Sequence, residues 1–289
     1  MTVLVCGCLL ILCAALGLYK SKAATGHINT ADDLKSAKLC GVAGRMPAGS
    51  AKIFFESMIG RKLRSYTDYG TLDECLYALK TGRADAMWVT DVSAEYLLEN
   101  DETLKEIDVT DMAAINNTDE PRFSFGMAAA NTKEGRELVE QINYAIDYLT
   151  EDGTLDALKD KYITGASTAE RFTEKNMIVN DDLHRVYYYS TSPLVVGITG
   201  AVPPIELIGE NGKPYGFCVA MMDEVGQILQ RGVKFVVLDN ETAFSSLMSG
   251  RVDVIFAYGS GRITTESTYS WCMSKGYLDM QNYRFLCVK

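Results

Sequence analysis

Residues 78–89 read ALKTGRADAMWV, and residues 246–257 read SLMSGRVDVIFA. Leu79, Gly82 and Asp85 in the first copy match Leu247, Gly250 and Asp253 in the second. Each copy is a helix that ends on glycine and feeds an apolar strand, which is half of a βαβ unit. Two such units in one chain predict two similar α/β lobes, each built on a mostly parallel sheet.

The rest of the chain carries the same alternation. Thr30 opens a short helix, residues 38–43 form a strand, and the Gly/Pro turn 44–50 leads into a helix over 51–59. A strand over 62–67, a helix over 71–80, a strand over 85–89 and a helix over 92–99 follow. Residues 122–129 are a further strand. The helix over 132–150 then sets Leu138, Ile142, Ala145, Ile146 and Leu149 on one face. A short helix over 155–162 closes this half. Residues 164–193 are polar, rich in Thr and Asn, and without a period, so they are expected to be a linker. A second series starts with the strand 194–199, turns at Glu210-Asn211-Gly212-Lys213, and continues through a helix within 216–229. A strand over 233–238, a helix over 243–249, a strand over 252–257 and a terminal strand over 282–288 complete it.

The chain has 289 residues, enough for one large or two medium domains. Hydrophobic content is 47% and charged content 23%, so a sizeable core forms without a disulfide framework. A net charge of −10 speaks against nucleic acid or an anionic membrane surface as the main partner. The apolar run from Val3 to Leu18 is short for a membrane span and suits a signal sequence, although no basic residue precedes it. Residues 1–26 are therefore expected to be a signal peptide or membrane anchor. Cys8, after Val5-Cys6-Gly7, is a loose lipoprotein match. Beyond this run lie Cys40, Cys75, Cys218, Cys272 and Cys287, with no CxxC pair and only His27 and His184 as imidazoles. A metal site is not expected, and Cys40 and Cys287 read as buried thiols.

Several stretches together resemble one family. LVVGITGAVPP at 194–204, GKPYGF at 212–217 and LMSGRVD at 247–253 resemble the opening half of lobe 1 in type 3 extracellular solute-binding proteins. These are the polar-amino-acid receptors of bacterial ABC importers. TADDLK at 30–35, GVAG at 41–44 and LKTGRADA at 79–86 look like lobe 2, and FGMAA at 125–129 with DGTLDALKDKY at 152–162 look like the closing segment of lobe 1. The resemblance implies a two-lobed periplasmic-binding-protein-like α/β fold of type II. The order departs from the family: lobe 2 (27–118), the closing segment (119–163), the linker (164–193) and the opening segment (194–289). Circular permutation accounts for this order, since each segment occurs once. Two half-domains left by duplication are the other reading. A permuted chain has one lobe crossing near Asn116 to Phe123 and the other cut, with ends at 287–289 and 27–28. Closure is then expected to be looser than usual.

The resemblance also implies a solute held between the lobes, a partner permease, an extracytoplasmic location, and a monomer that meets the membrane only through its N-terminal anchor. No cofactor is implied. An α-amino acid needs a cation for its carboxylate, an acceptor for its ammonium and an apolar wall. The family's Thr-x-Glu-Arg clamp reads Thr264-Thr265-Glu266-Ser267 here, which leaves Arg262 as a substitute or as a solvated loop residue. The family's acceptor Asp stands at Thr90, with Asp91 beside it as acceptor or as helix N-cap. The aromatic wall is Ile205, with Tyr258 or Tyr215 as replacements. Thr199, Gly200, Gly259, Ser260, Arg45, Gly49 and Ser50 complete the expected site, as glycine-rich strand ends and a helix start. Some similar proteins are dehydratases or lytic transglycosylases. Here no Ser-His-Asp set and no defined pair of cleft carboxylates supports catalysis. The remaining class is a sensor or scaffold module on the same fold.

Overall fold

The computed structural model describes residues 28–44, 50–109, 123–164, 192–259, 270–280 and 282–289. The expected leader, the lobe crossing before Phe123 and the linker between its two ends lie outside the described residues.

Two sheets organise the chain. In the first, β1 (Lys38–Val42) pairs in parallel with β2 (Ser65–Tyr69) and β3 (Ala86–Thr90). The antiparallel strand β13 (Tyr283–Val288) then inserts between β3 and β4 (Leu104–Glu106). In the second, β6 (Leu194–Ile198) pairs in parallel with β9 (Val233–Val237) and β10 (Val254–Gly259). The antiparallel strand β5 (Phe123–Ala130) lies beside β10 and carries β11 (Trp271–Met273) and β12 (Leu278–Met280) on its other edge. Both sheets thus run second, first, third, then an antiparallel strand brought from a distant part of the chain. Parallel neighbours require crossover connections, and helices supply them. These are α1 (Ser50–Ile59) and α2 (Leu72–Lys80) in the β1 lobe, α6 (Phe217–Leu229) and α7 (Ala243–Met248) in the β6 lobe. Helix α3 (Asp91–Asn100) leads from β3 toward β4, while α4 (Lys133–Glu151) and α5 (Thr154–Lys159) follow β5.

Residues 194–289 were expected to stay within one lobe, and their end departs from that. Tyr283–Val288 is the fourth strand of the β1 sheet. Its alternation decides the placement. Tyr283, Phe285 and Cys287 bury on one face with Phe55 and Trp88, and Leu286 buries on the other with Met87 and Cys40. The strand expected over 62–67 begins later, at Ser65, because Leu63 N–H donates to Glu56 Oε1 (3.0 Å) and Arg64 N–H to Ala37 O (2.8 Å). The first bond ties the chain back to α1, and the second ties it to the residue before β1, just ahead of the first ladder pair Lys38–Ser65. The short strands β4, β11 and β12 carry too few residues for a sequence period to register.

The two repeat copies have one backbone wiring. Asp85 N–H donates to Lys38 O and Lys38 N–H donates back to Asp85 Oδ2, both at 2.8 Å. Asp253 N–H donates to Val195 O and Val195 N–H donates back to Asp253 Oδ2, again both at 2.8 Å. Each aspartate therefore closes a ring onto the first strand of its sheet and fixes where the third strand starts. Gly82 (φ +70°) and Gly250 (φ +73°) end the preceding helices in the left-handed region, where a side chain is strained.

Candidate functional site

A cleft of about 430 Å³ lies where the β1 lobe meets the β6 lobe. Helices α2 and α3 form one wall, with Leu72, Asp73 and Leu76 from the first and Tyr96 and Asn100 from the second. The loop that leaves β6 forms the other, through Thr199, Gly200 and Pro203, with Ile208 and Asn240 beside it. Helix α2 is fixed at this edge by its cap: Glu74 N–H donates to Thr71 Oγ1 (3.2 Å), and Thr71 N–H donates back to Glu74 Oε2 (3.3 Å).

The β6 loop is held from within. Thr199 N–H donates to Glu206 Oε2 (3.1 Å) and Thr199 Oγ1 donates to Glu206 Oε1 (2.6 Å). Glu206 is 3% exposed and anchors its own backbone on Val202 O (2.9 Å). A buried carboxylate is stable only where donors surround it, so Glu206 locks the wall that Thr199 presents. Gly200 sits at φ +69°, and a Cβ there would lie 2.4 Å from Ile208 Cγ1. Glu206 is the residue that the sequence reading missed. Its signal was a carboxylate placed directly after the Val-Pro-Pro-Ile run, between residues otherwise apolar.

The polar groups of the cleft divide by charge. Asp101 pairs with Lys80 at 2.6 Å. Partial burial opposes its ionised form, but the bonds from Lys80 and Thr103 outweigh this and hold the carboxyl below its usual range. Burial, and then the nearby Asp73, push the Tyr96 phenol above its usual range, so it stays a protonated donor at neutral pH.

The expected site residues separate into three groups. Thr199 and Gly200 line the cleft. Thr90 lies in a smaller recess of about 30 Å³, facing Ala201 and Pro203 across the lobes. It is 5% exposed and is the N-cap of α3, with Oγ1 accepting from Ser93 N–H (3.2 Å). Asp91, read as acceptor or cap, is instead the first helical residue, and its Oδ1 accepts from Val92 N–H (2.9 Å). Ile205 is fully buried in the β6-lobe core, packed among its apolar side chains, and its carbonyl accepts from Cys218 N–H (2.9 Å). It is not a wall of the cleft. Tyr258 and Gly259 end β10 opposite Phe125 and Ser124, and Ser50 opens α1. Arg45, Gly49, Ser260 and Arg262 lie outside the described residues. Tyr215 is half-buried in β8 (Pro214–Tyr215), which pairs with β7 (Leu207–Ile208) across the expected Glu210–Lys213 tip.

Residues 194–282 match the family model of bacterial extracellular solute-binding proteins, family 3. The match runs from the start of β6 to the residue before β13, where the chain passes to the other sheet. Over that segment the chain resembles this family of binding proteins, and its two main sheets build a two-lobed α/β architecture. No curated protein matches the sequence. Among solved structures, the periplasmic VFT2 domain of BvgS from Bordetella pertussis is similar at 10% identity and a TM-score of 0.39, with 89% of this chain and 82% of that chain covered. An ancestral arginine-binding protein bound to arginine is similar at 11% identity and a TM-score of 0.39, with 89% and 86% covered. The effector binding domain of QuiR in complex with shikimate is similar at 7% identity and a TM-score of 0.38, with 88% and 87% covered.

Proposed function

We propose that this chain is an extracytoplasmic receptor that captures a small polar, amino-acid-like solute between its lobes and delivers it to an ABC permease. The observation that carries the reading is the cleft wall at Thr199–Gly200. It is rigidly held by buried Glu206 and lies inside the segment that matches the solute-binding family. Such a wall offers a hydroxyl oxygen as acceptor and a glycine backbone to a ligand at fixed positions. Arg262 and Arg45 are the proposed carboxylate partners, with Tyr258, Gly259, Ser260, Gly49 and Ser50 completing the enclosure. In this reading the chain acts by binding and not by catalysis, works as a monomer, and meets the membrane through residues 1–26. Among the described residues no helix is long and apolar enough to cross a membrane.

The proposed history is circular permutation. Each sheet has the same strand order, and Cys287 Sγ donates to Ile28 O at 3.2 Å, so the end of β13 lies beside the start of the β1 lobe. That proximity is what a cut lobe crossing leaves. A reordered chain running 192–289, a short linker, then 28–164 is expected to fold with an unchanged thermal midpoint to within a few degrees. A chain that failed to fold in that order would remove the permutation.

Thermal shift against amino acids, amines and short peptides tests the binding role. One solute at about 100 times its dissociation constant is expected to stabilise the fold by about 2.7 kcal/mol. Arg262→Ala is expected to abolish that gain for a carboxylate solute. If no solute raised the midpoint, the sensor or scaffold reading would replace the receptor. One observation favours that second reading: the recess beside Thr90 is only about 30 Å³ and is lined by Val42, Val89 and Pro203.

A further inference from the structure

We infer that Asn240 is a latch that holds the two lobes together before any solute arrives. It follows β9 in the β6 lobe and starts a single 3₁₀ turn over Asn240–Thr242. It is 8% exposed, although it stands in a loop. Its Nδ2 donates to Gly70 O across the cleft at 3.1 Å. Gly70 directly follows β2, and Gly44 lies two residues past the end of β1, so the asparagine is wedged against the ends of two neighbouring strands of the other lobe.

Gly44 shows how close the approach is. It sits at φ +75°, and a Cβ there would lie 2.3 Å from Asn240 O and 3.6 Å from Asn240 Cβ. Only a glycine admits the asparagine at this depth. The arrangement joins three features: a buried side-chain amide, a directed hydrogen bond between lobes, and a backbone position cleared of any side chain. Opening the lobes breaks the bond to Gly70 O and parts the close packing of the Asn240 backbone on Gly44, so the closed form is favoured without ligand. The latch concerns the ligand-free chain, and so stands or falls separately from the solute reading.

Single-molecule energy transfer on the full chain tests this, with one dye at Glu102 in the β1 lobe and one at Glu137 in the β6 lobe, both exposed. Asn240→Ala is expected to raise the open-to-closed ratio about threefold to tenfold, the equilibrium worth of one net hydrogen bond. Gly44→Ala is expected to do the same or more, because its methyl displaces Asn240. Gly60→Ala is the matched control. Gly60 also has a positive φ (+63°), but a Cβ there meets nothing within 4 Å. It carries the same backbone strain in the same lobe with no contact to Asn240, and its ratio is expected to stay at the wild-type value. An unchanged ratio in Asn240→Ala, or equal shifts in Gly44→Ala and Gly60→Ala, would overturn the latch.

Discussion

The two lobes share a frame and differ in what fills it. In the β1 lobe, Phe55 is fully buried and touches five other rings: Phe54, Tyr66, Trp88, Tyr283 and Phe285, with centroid distances from 5.0 to 6.2 Å. Trp88 Nε1 is satisfied by Tyr66 Oη at 2.8 Å. The β6-lobe core is larger and mostly aliphatic and Met, with Met127, Ile142, Val196 and Val254. Its buried rings Phe125, Tyr162 and Phe256 gather round no single centre, and among the described residues Phe217 and Tyr277 form its buried ring pair, at 6.0 Å. The lesson is that strand order and the aspartate ring set the lobe, while the chemistry of its interior is free to diverge. The divergence also has a source in topology. Two of the rings around Phe55 come from β13, which enters the β1 lobe from the far end of the chain.

The largest expected effects come from breaking these unlike cores. Phe55→Ala removes the centre of the aromatic cluster and is expected to cost about 3–5 kcal/mol. Met127→Ala in the β6 lobe is expected to cost about 2–5 kcal/mol. The two tryptophans make the comparison readable, since Trp88 reports on the β1 lobe and Trp271 on the β6 lobe. Urea unfolding of single-tryptophan variants is expected to show Phe55→Ala moving the Trp88 transition more than the Trp271 transition, and Met127→Ala the reverse. Equal shifts at both probes would mean that the lobes unfold as one unit. The next effect tests what the lobes share. Asp253→Ala and Asp85→Ala each strip a strand N–H of a charged acceptor and are expected to cost about 1.5–3 kcal/mol, measured by the same melts.

The frame was legible in the sequence because its signals are local and repeated. Gly82 and Gly250 end helices, Asp85 and Asp253 open strands, and the period of residues 132–150 names the buried face of α4. The resemblance assigned the β6 lobe from the same residues that the family model covers. What failed was long-range. The placement of Tyr283–Val288 depends on which sheet has room beside β3, and no spacing within the strand reveals that. Ile205 failed for a different reason. Its position after two prolines suggested a cleft wall, but the side chain is fully buried in the β6-lobe core. Glu206 shows the converse, since its apolar neighbours hint at burial but its partner, Thr199, is known only from the fold.

Smaller effects sharpen the comparison at the helix starts. Helix α2 in the β1 lobe begins with a full Thr71–Glu74 capping box, so Thr71→Ala is expected to cost about 1 kcal/mol. Helix α7 in the β6 lobe follows Thr242, whose side chain makes no cap bond to the helix and points back to Asp239 O at 3.2 Å. Thr242→Ala is therefore expected to cost less than Thr71→Ala in a thermal melt. If the two cost the same, capping does not distinguish the copies.

The smallest effect isolates the one charge by which the aspartate rings differ. Lys38 occupies the position that Val195 fills in the other copy, and its Nζ lies 3.2 Å from Asp85 Oδ1 while donating to Gly82 O at 2.6 Å. Both side chains are partly exposed, at 27% and 17%, so water screens the pair and its worth is about 0.2–1 kcal/mol. Lys38→Met keeps the length of the side chain and makes the first ring resemble the second. The backbone ring survives, because Lys38 N–H and not its ammonium holds Asp85. Chemical denaturation is thus expected to register a loss of at most about 1 kcal/mol for Lys38→Met. A loss as large as that of Asp85→Ala would mean that the ammonium, and not the shared backbone wiring, sets the start of β3.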